Sequence, residues 1–342
     1  MAGASLVTGL TLPSGLAFIV ALIVARLVMA AGILDHPNTR SSHSAPTPRG
    51  GGLGMLAGAL AGWAILPIAS PAEAAALSGI AICGVLAGGL GLLDDLFTLS
   101  ERLKFVVLLA VSFALSAMTG PVVTLGLGLE LPWLVGLAGS ALFVFTTANA
   151  VNFMDGSDGL IVACLIPACL ALGVMTGSPV AVILAAGLAG FAVWNAPLMR
   201  ERGRLFSGDV GSLGVSVLFA GLALDWAGEA TPGSAWLVAL LLLPLLGDVL
   251  LTMGARVKAG RSPFVAHRAH AYQLLIRTGT SHRKVALLWG GMSLACGVLA
   301  LIGSALPAGG QVAVFVISVA AFTLIHHRIR NRARTQLDDV YQ

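Results

Sequence analysis

Three short polar motifs interrupt this strongly apolar sequence and carry oxygen-bearing side chains that could bind a divalent cation. The motifs are GLLDD (91–95), NAVNFMDGSDGL (149–160) and GDVGS (208–212). Their candidate ligands are Asp94, Asp95, Asn149, Asn152, Asp155, Asp158 and Asp209. Mg²⁺ is a hard cation that takes oxygen ligands, and the same groups hydrogen-bond to sugars and nucleobases. The three motifs therefore predict a site for a metal ion, a polar substrate or both.

The adjacent carboxylates Asp94 and Asp95 are predicted at the C-terminal end of a helix. Neighbouring side chains on a helix point about 100° apart, so only one of the two can face a given site. A carboxylate at this end is also unfavourable beside the negative pole of the helix dipole. We therefore expect a cation nearby, either a metal ion or an arginine. Simple termination of the helix is the alternative interpretation.

The motif NAVNFMDGSDGL places two Asn and two Asp side chains at steps of three residues: Asn149, Asn152, Asp155 and Asp158. On a helix this spacing gathers side chains on one slowly turning face. Gly156 and Gly159 predict that the helix breaks within the motif. The alternative is that these residues only cap helices. Asp209 has the same alternative, as the N-cap of the following helix.

Residues 35–54 hold cationic and imidazole groups that suit a phosphate-bearing ligand. Arg40, His43 and Arg49 are the candidate substrate-binding residues, and the motif PTPRGGGLG ends in glycines that permit close backbone approach. For this segment alone, a positively charged loop with a flexible glycine joint is the simpler interpretation.

The motif HRAHAYQ (267–273) lies in the longest hydrophilic connection of the chain. Its residues His267, Arg268 and His270 predict a cationic cradle for a diphosphate. A histidine pair could also bind zinc, although no third ligand is in register nearby. An interfacial amphipathic helix is a further alternative, and it is compatible with the cradle.

The composition determines what kind of molecule holds these motifs. Hydrophobic residues make up 57% of the 342 residues and charged residues only 10%, against roughly 25% in soluble domains. Glycine is abundant, at 43 residues, as is usual where helices pack closely in lipid. These values predict a polytopic membrane protein. They argue against a disordered chain, a disulfide scaffold or a nucleic-acid-binding domain.

Eleven apolar runs are long enough to be candidate membrane-spanning helices. They cover roughly residues 13–34, 52–70, 75–93, 104–119, 131–149, 159–176, 179–198, 210–227, 234–253, 285–304 and 310–327. We therefore predict an all-α fold: a polytopic integral membrane helical bundle that forms a single catalytic domain over residues 1–342.

The distribution of charge predicts the orientation of this bundle. When the connections are numbered alternately, all but one of the 19 Lys and Arg residues fall on one side, which the positive-inside rule makes cytoplasmic. The N-terminus is then outside and the C-terminus cytoplasmic. The predicted cytoplasmic loops cover about 35–51, 94–103, 150–158, 199–209 and 254–284.

The five motifs occur in order at helix ends along nearly the whole chain, and together they resemble the polyprenyl-phosphate N-acetylhexosamine-1-phosphate transferases, the MraY/WecA-like superfamily. This resemblance implies transfer of a sugar-1-phosphate from a UDP-sugar to undecaprenyl phosphate, with release of UMP and a requirement for Mg²⁺ or Mn²⁺. It also implies a bacterial inner-membrane protein whose active site faces the cytoplasm and contacts membrane lipid. A homodimer is compatible with the family.

The resemblance also implies roles for the acidic motifs. Asp209 matches a metal-binding carboxylate, and Asn152 matches a second metal contact. Asp94 and Asp95 match paired carboxylates that handle the metal or the lipid phosphate.

The remaining matched positions concern the nucleotide sugar. Asp155 and Asp158 match positions near the nucleotide, with Asp158 expected at the uracil. His267, Arg268 and His270 match a motif that contacts the diphosphate or the sugar. We expect Arg268 and both imidazoles to supply positive charge there.

HRAHAYQ departs from the triple-histidine motif of the cell-wall precursor translocases and from the histidine-rich motifs of the GlcNAc transferases. It is similar to the branch that starts O-antigen with N-acetylated 6-deoxyhexosamines. A UDP-GlcNAc transferase and a cell-wall precursor translocase remain the alternatives within the family. Outside it, a secondary transporter would need acids near mid-membrane, and a non-catalytic scaffold would not need the polar motifs.

For the reaction itself, we expect direct in-line attack of the lipid phosphate on the β-phosphorus of the donor. A covalent aspartyl-phosphate on Asp94 or Asp95 is the two-step alternative.

Overall fold

The computed structural model describes residues 2–35, 46–66, 71–198, 201–263, 265 and 267–341. Its helices are α1 (Ala2–Ala31), α2 (Gly52–Ala64), α3 (Pro71–Phe97), α4 (Glu101–Thr119), α5 (Trp133–Met154), α6 (Leu160–Thr176), α7 (Val180–Asn195), α8 (Asp209–Glu229), α9 (Ser234–Leu241), α10 (Leu243–Lys258), α11 (Ala271–Arg277), α12 (His282–Ser304) and α13 (Ala308–Arg334). Two antiparallel strand pairs accompany them: β1 (Leu34–Asp35) with β2 (Thr47–Pro48), and β3 (Thr124–Gly126) with β4 (Leu129–Glu130).

Every one of the eleven apolar runs forms helix, which confirms the helical fold apart from the two short strand pairs. The run at 234–253 forms two helices, α9 and α10, that meet at an angle of 80°. Pro244 lies in the first turn of α10, where its missing N–H costs least. Two predicted loops are shorter than expected, because α3 continues to Phe97 and α5 continues to Met154.

The lengths of these helices limit how many can cross a bilayer. Within the described residues, seven helices are long and apolar enough, and the bent pair of α9 and α10 would make eight. The apolar helices α2, α6 and α7 have 13, 17 and 16 residues. At about 1.5 Å per residue they are shorter than a hydrocarbon core of about 30 Å. The chain is a polytopic helical membrane protein, while eleven crossings and the orientation remain predictions.

Helix α8 is the centre of the bundle. In its apolar window 83% of the residues are buried, against 17% for α1 and for α13. It packs on α2, α3, α4 and α5. The closest approaches occur where glycines face each other, since a Cβ on Gly52 would lie 2.0 Å from the Cα of Gly211. Small residues thus let the backbones of α2 and α3 reach the first turn of α8.

Gly91 of α3 provides a test of this packing. A Cβ at Gly91 would lie 2.3 Å from the backbone carbonyl of Asp209, whereas a Cβ at Gly89 would meet nothing within 4 Å. We expect Gly91→Ala to destabilise the protein by about 1–3 kcal/mol, the usual cost of overpacking, and to displace Asp209. Thermal unfolding in detergent measures this effect, with Gly89→Ala as the matched control. Equal melting temperatures for the two variants would contradict the packing.

Candidate active site

A cavity of about 230 Å³ opens at the end of the bundle where α3 and α5 end and α8 begins. Six of the residues proposed from the sequence line it: Arg49, Asp95, Asn152, Asp155, Asp158 and Asp209. Arg40 and His43 lie outside the described residues. The acidic residues of the cavity therefore lie at or beside the ends of helices and not in the middle of the long apolar segments.

The glycine-rich motif reaches the cavity by pairing with the segment that precedes α8. Gly51 and Gly52 donate backbone hydrogen bonds to the carbonyls of Phe206 and Ser207, at 2.9 and 2.8 Å. Strand β2 adds a bond from the Phe206 N–H to the Pro48 carbonyl at 2.8 Å. This pairing fixes the position of Arg49 at the cavity wall.

Asp95 faces the cavity and is only 9% exposed. Its Oδ2 accepts a hydrogen bond of 3.4 Å from the Val210 N–H in the first turn of α8. Its Oδ1 lies 3.8 Å from Nη1 of Arg49. Nη2 of the same arginine donates a hydrogen bond to the backbone carbonyl of Asp95. Asp95 is thus a carboxylate that joins α3 to the positive end of the α8 dipole.

Asp94 points elsewhere, as the 100° step between neighbouring helical residues predicts. Its Oδ2 accepts a 3.0 Å hydrogen bond from Nζ of Lys104, and its Oδ1 accepts one of 2.7 Å from the Leu99 N–H. Its carboxyl also interacts with that of Asp209. Asp95 therefore has an arginine beside it, Arg49, as expected, whereas the cation beside Asp94 is a lysine, Lys104.

Replacing Asp94 by Asn should lower turnover about tenfold to a hundredfold, the usual effect of losing a partner next to the reacting groups. Binding of the nucleotide sugar should change little, because Asp94 does not line the cavity. Steady-state kinetics and calorimetric titration of the donor measure the two effects separately. Activity close to that of the wild type would remove Asp94 from the catalytic residues.

Asp209 is the first residue of α8, and Gly208 occupies the N-cap position with a φ of 70°. The predicted N-cap role of Asp209 is therefore wrong by one position. Its Oδ1 instead accepts a 2.8 Å hydrogen bond from Nδ2 of Asn152, which also donates to Oγ of Ser212 at 2.9 Å. The two proposed metal ligands are thus in direct contact across α5 and α8.

Asp155 follows the last residue of α5 and accepts a hydrogen bond from the Ser207 hydroxyl. Withdrawal from water, together with repulsion from Asp209 and Asp95, raises the pKa of Asp155 to about 8, against the lowering effect of the Ser207 hydrogen bond. The cavity therefore crowds carboxyl groups so closely that Asp155 favours its protonated form near pH 7.

Asp158 is buried, and three neighbouring groups hold its carboxylate in place. Its Oδ2 accepts a 3.0 Å hydrogen bond from the Gly203 N–H and lies 3.6 Å from Nδ1 of His282. Nη1 of Arg202 lies 4.0 Å from the same oxygen. This network fixes the carboxylate at the cavity wall.

Asn149 does not line the cavity. Its Nδ2 donates to the Phe145 carbonyl of its own helix at 2.8 Å. Of the four residues at steps of three, only Asn152, Asp155 and Asp158 line the cavity. Helix α5 ends at Met154, so the loop that follows it positions the two acids.

The two histidines of the motif HRAHAYQ also lie outside the cavity lining, whereas Gln273, the last residue of the motif, lines the cavity. The rings of His267 and His270 are 4.8 Å apart, and His270 stacks on Phe153 with 6.4 Å between centroids. Burial lowers the pKa of His267 to about 3, with repulsion from His270 and Arg256 adding to the effect. His267 is therefore neutral near pH 7, and the positive charge expected on it is absent.

A buried acid that was not among the proposed site residues anchors this motif. Asp248 of α10 is 0% exposed and accepts hydrogen bonds from the N–H groups of Ala271 and Tyr272, at 2.8 and 3.2 Å. Its Oδ1 also lies 3.4 Å from Nε2 of His326 and 3.1 Å from Oγ1 of Thr252. Asp248 thus ties α11 to both α10 and α13.

The cavity residues that were not proposed from the sequence include Asn195, Gln273 and His282. Asn195 accepts a 3.0 Å hydrogen bond from the Gly159 N–H and donates one of 3.0 Å to the Leu205 carbonyl. Its position as the last residue of the apolar helix α7 was the available signal. His282 stands at the start of α12, far along the chain from its partner Asp158, so no local spacing identifies it.

The donor set of the cavity fits Mg²⁺ or Mn²⁺. Among the described residues, no three His, Cys, Asp or Glu side chains form a complete metal cluster. Magnesium needs no such cluster, since it usually keeps several waters and uses one or two carboxylates together with substrate phosphates. Asp209 and the side-chain amide oxygen of Asn152 can supply the protein ligands, and a divalent ion would favour the charged form of the crowded carboxyl groups.

Comparison with known proteins places these motifs in a family. Residues 77–227, which include GLLDD, NAVNFMDGSDGL and GDVGS, match the family model of glycosyl transferase family 4. The decaprenyl-phosphate N-acetylglucosaminephosphotransferase of Mycobacterium tuberculosis is 28% identical over 313 residues, which cover 79% of this chain and 76% of the relative.

Two enterobacterial relatives show similar agreement. The undecaprenyl-phosphate alpha-N-acetylglucosaminyl 1-phosphate transferase of Yersinia pestis is 28% identical over 312 residues, covering 82% of this chain and 79% of its own. The protein of the same name from Escherichia coli is 28% identical over 297 residues, covering 81% and 77%. With the acidic cavity at the helix ends, these matches support a membrane sugar-phosphate transferase that is similar to the members of glycosyl transferase family 4.

Proposed function

We propose that the protein transfers an N-acetylhexosamine-1-phosphate from a UDP-sugar to undecaprenyl phosphate and releases UMP. The observation that carries this proposal is the convergence of Asp95, Asn152 and Asp209 from three helices on one cavity at the end of the bundle. The printed names of the relatives, which specify a polyprenyl phosphate acceptor, support the same reaction.

Charge is the main barrier to this reaction, because both substrates are anions. Asp209 and Asn152 would hold one Mg²⁺ or Mn²⁺, which when bound neutralises the phosphates and orients them. Arg49 at the cavity wall and the N–H groups of the first turn of α8 add positive potential from the protein itself.

The attacking group needs little help from a base, since the second pKa of a phosphate monoester is about 6. An oxygen of the lipid phosphate forms a bond to the β-phosphorus, and the bond from the β-phosphorus to the bridging oxygen of UMP breaks. Asp94 is held by Lys104 and the Leu99 N–H, and Asp95 by Arg49 and the Val210 N–H. Both carboxylates are engaged, which favours direct transfer over an aspartyl-phosphate.

The physiological setting follows from the same reaction. We place the protein in the bacterial inner membrane, with the N-terminus outside, the C-terminus inside and the cavity on the cytoplasmic side. Its product would start the synthesis of O-antigen or of another cell-envelope glycan.

The sugar has two candidates, each favoured by a specific observation. The motif HRAHAYQ favours an N-acetylated 6-deoxyhexosamine. The relatives, whose names specify N-acetylglucosamine, favour UDP-GlcNAc. A panel of UDP-sugars, offered with undecaprenyl phosphate and Mg²⁺ to the purified protein, distinguishes them by the lipid-linked product. Absence of product from every UDP-N-acetylhexosamine would overturn the proposed function.

A further inference from the structure

Residues 337–341, the last described segment, lie against the helix that follows the histidine motif. Val340 is only 5% exposed and packs in a small hydrophobic cluster with Leu274 of α11 and Ala333 of α13. This cluster is separate from the main core of the bundle. The segment is therefore packed onto the protein surface beside HRAHAYQ and bridges α11 and α13.

Two arginines connect this segment to the backbone of the motif. Nη2 of Arg277 donates a 2.8 Å hydrogen bond to the Asp339 carbonyl, while its Nη1 donates one of 3.1 Å to the Arg268 carbonyl. Arg330 donates from Nη1 to the Ala269 carbonyl at 2.7 Å. The same guanidinium lies over the ring of Tyr341, 5.1 Å from its centroid.

Positively charged side chains surround the segment, and its own groups interact with them. Five arginines surround it: Arg256, Arg261, Arg277, Arg330 and Arg334. Asp339 supplies a countercharge, with its Oδ2 3.0 Å from Nη2 of Arg261, and its Oδ1 accepts a 2.7 Å bond from the Tyr341 N–H. Tyr341 supplies its ring face to Arg330 and Arg334 and its hydroxyl to Arg334 at 2.8 Å.

The motif in turn is coupled to the cavity. The Tyr272 hydroxyl donates to the Phe153 carbonyl at 3.1 Å, next to the cavity residue Asn152. Gln273, the next residue of α11, lines the cavity itself. A shift of α11 would therefore move a cavity wall and the end of α5 together.

We propose that Tyr341 and Asp339 are positioning residues that hold HRAHAYQ and α11 against the cavity. Tyr341 acts through Arg330, and Asp339 acts through its carboxylate, which fixes the Tyr341 N–H. The proposal rests on the proposed function, because it places the motif for the transfer reaction. It differs from that function in assigning a role to a segment that touches no substrate. A displacement of about 1 Å in such a support is enough to cost up to about a hundredfold in rate.

The test compares variants of the full-length protein in detergent. Tyr341→Ala and Asp339→Ala, which removes the acceptor of the Tyr341 N–H, should each lower kcat about tenfold. The KM for the UDP-sugar and the melting temperature should stay close to those of the wild type. Tyr341→Phe retains the ring over Arg330 and should recover most of the activity. Asp338→Ala, which makes the same change at an exposed neighbour, is the matched control.

The outcomes distinguish a failure of the proposed function from a failure of the positioning role. A wild-type protein that forms no lipid-linked sugar contradicts the proposed function. An active wild type, with Tyr341→Ala and Asp339→Ala as active as Asp338→Ala, overturns the positioning role. A loss of kcat that follows the melting temperature, with Tyr341→Phe no better than Tyr341→Ala, overturns it as well.

Discussion

Replacing Asp209 by Asn should reduce turnover about a hundredfold to a thousandfold, the effect expected when a group that stabilises the transition-state charge is removed. Asn keeps the shape of the side chain, but it removes the negative charge that a divalent ion requires. Asn152 would then face an amide in place of the carboxylate that now accepts its 2.8 Å hydrogen bond.

The Asp209→Asn measurement is an initial-rate assay over a series of Mg²⁺ and Mn²⁺ concentrations. Asp225→Asn is the matched control, because Asp225 lies near the other end of the same helix α8. The control should keep its activity. Wild-type rates for Asp209→Asn, or full wild-type activity in the presence of a metal chelator, would contradict the assigned metal site.

Replacing Asp248 by Leu should lower the free energy of unfolding by about 3–5 kcal/mol, the usual effect of breaking a buried charged network. The side chain is fully buried, and its loss leaves the N–H groups of Ala271 and Tyr272 without their acceptor. It also removes the partner of His326. Because α11 carries Gln273 into the cavity, transfer activity should fall with stability.

Thermal unfolding in detergent and the transfer assay measure these effects. Thr252→Val is the graded control, since it retains the shape of the side chain and removes only the hydrogen bonds of the hydroxyl to Asp248, at 3.1 Å, and to Nε2 of His326, at 3.2 Å. That change should cost only about 1–2 kcal/mol. A melting temperature for Asp248→Leu equal to that of Thr252→Val would show that Asp248 does not anchor α11.

The helices were predictable because each apolar run is long and bounded by Pro, Gly and polar residues. Helix α11 was predicted only as an alternative, an interfacial amphipathic helix, since it has seven residues and tertiary contacts with Asp248 hold its start. The ends of α3 and α5 were misplaced because Asp94, Asp95 and Asn152 are polar yet remain helical. Polarity indicates the membrane surface, but it does not mark where a helix stops.

The cavity was partly predictable for a related reason. The 100° step between neighbouring helical residues is a local property, so it correctly separates Asp95, at the cavity, from Asp94, beside Lys104. Partners far apart in sequence were not accessible, such as His282 for Asp158 and Asn195 for Gly159. The neutral state of His267 depends on burial, on its motif neighbour His270 and on Arg256 and Arg330, and the two arginines lie outside the motif.

The central claim is that the donor gives up its sugar together with the attached β-phosphate. A UDP-sugar carrying radioactive phosphorus in the β position tests this claim when it is mixed with undecaprenyl phosphate, Mg²⁺ and the purified protein. We predict that the label moves into the organic phase with the lipid and that unlabelled UMP appears in the aqueous phase. Label that remains in the aqueous phase as UDP, while sugar alone reaches the lipid, would contradict the account.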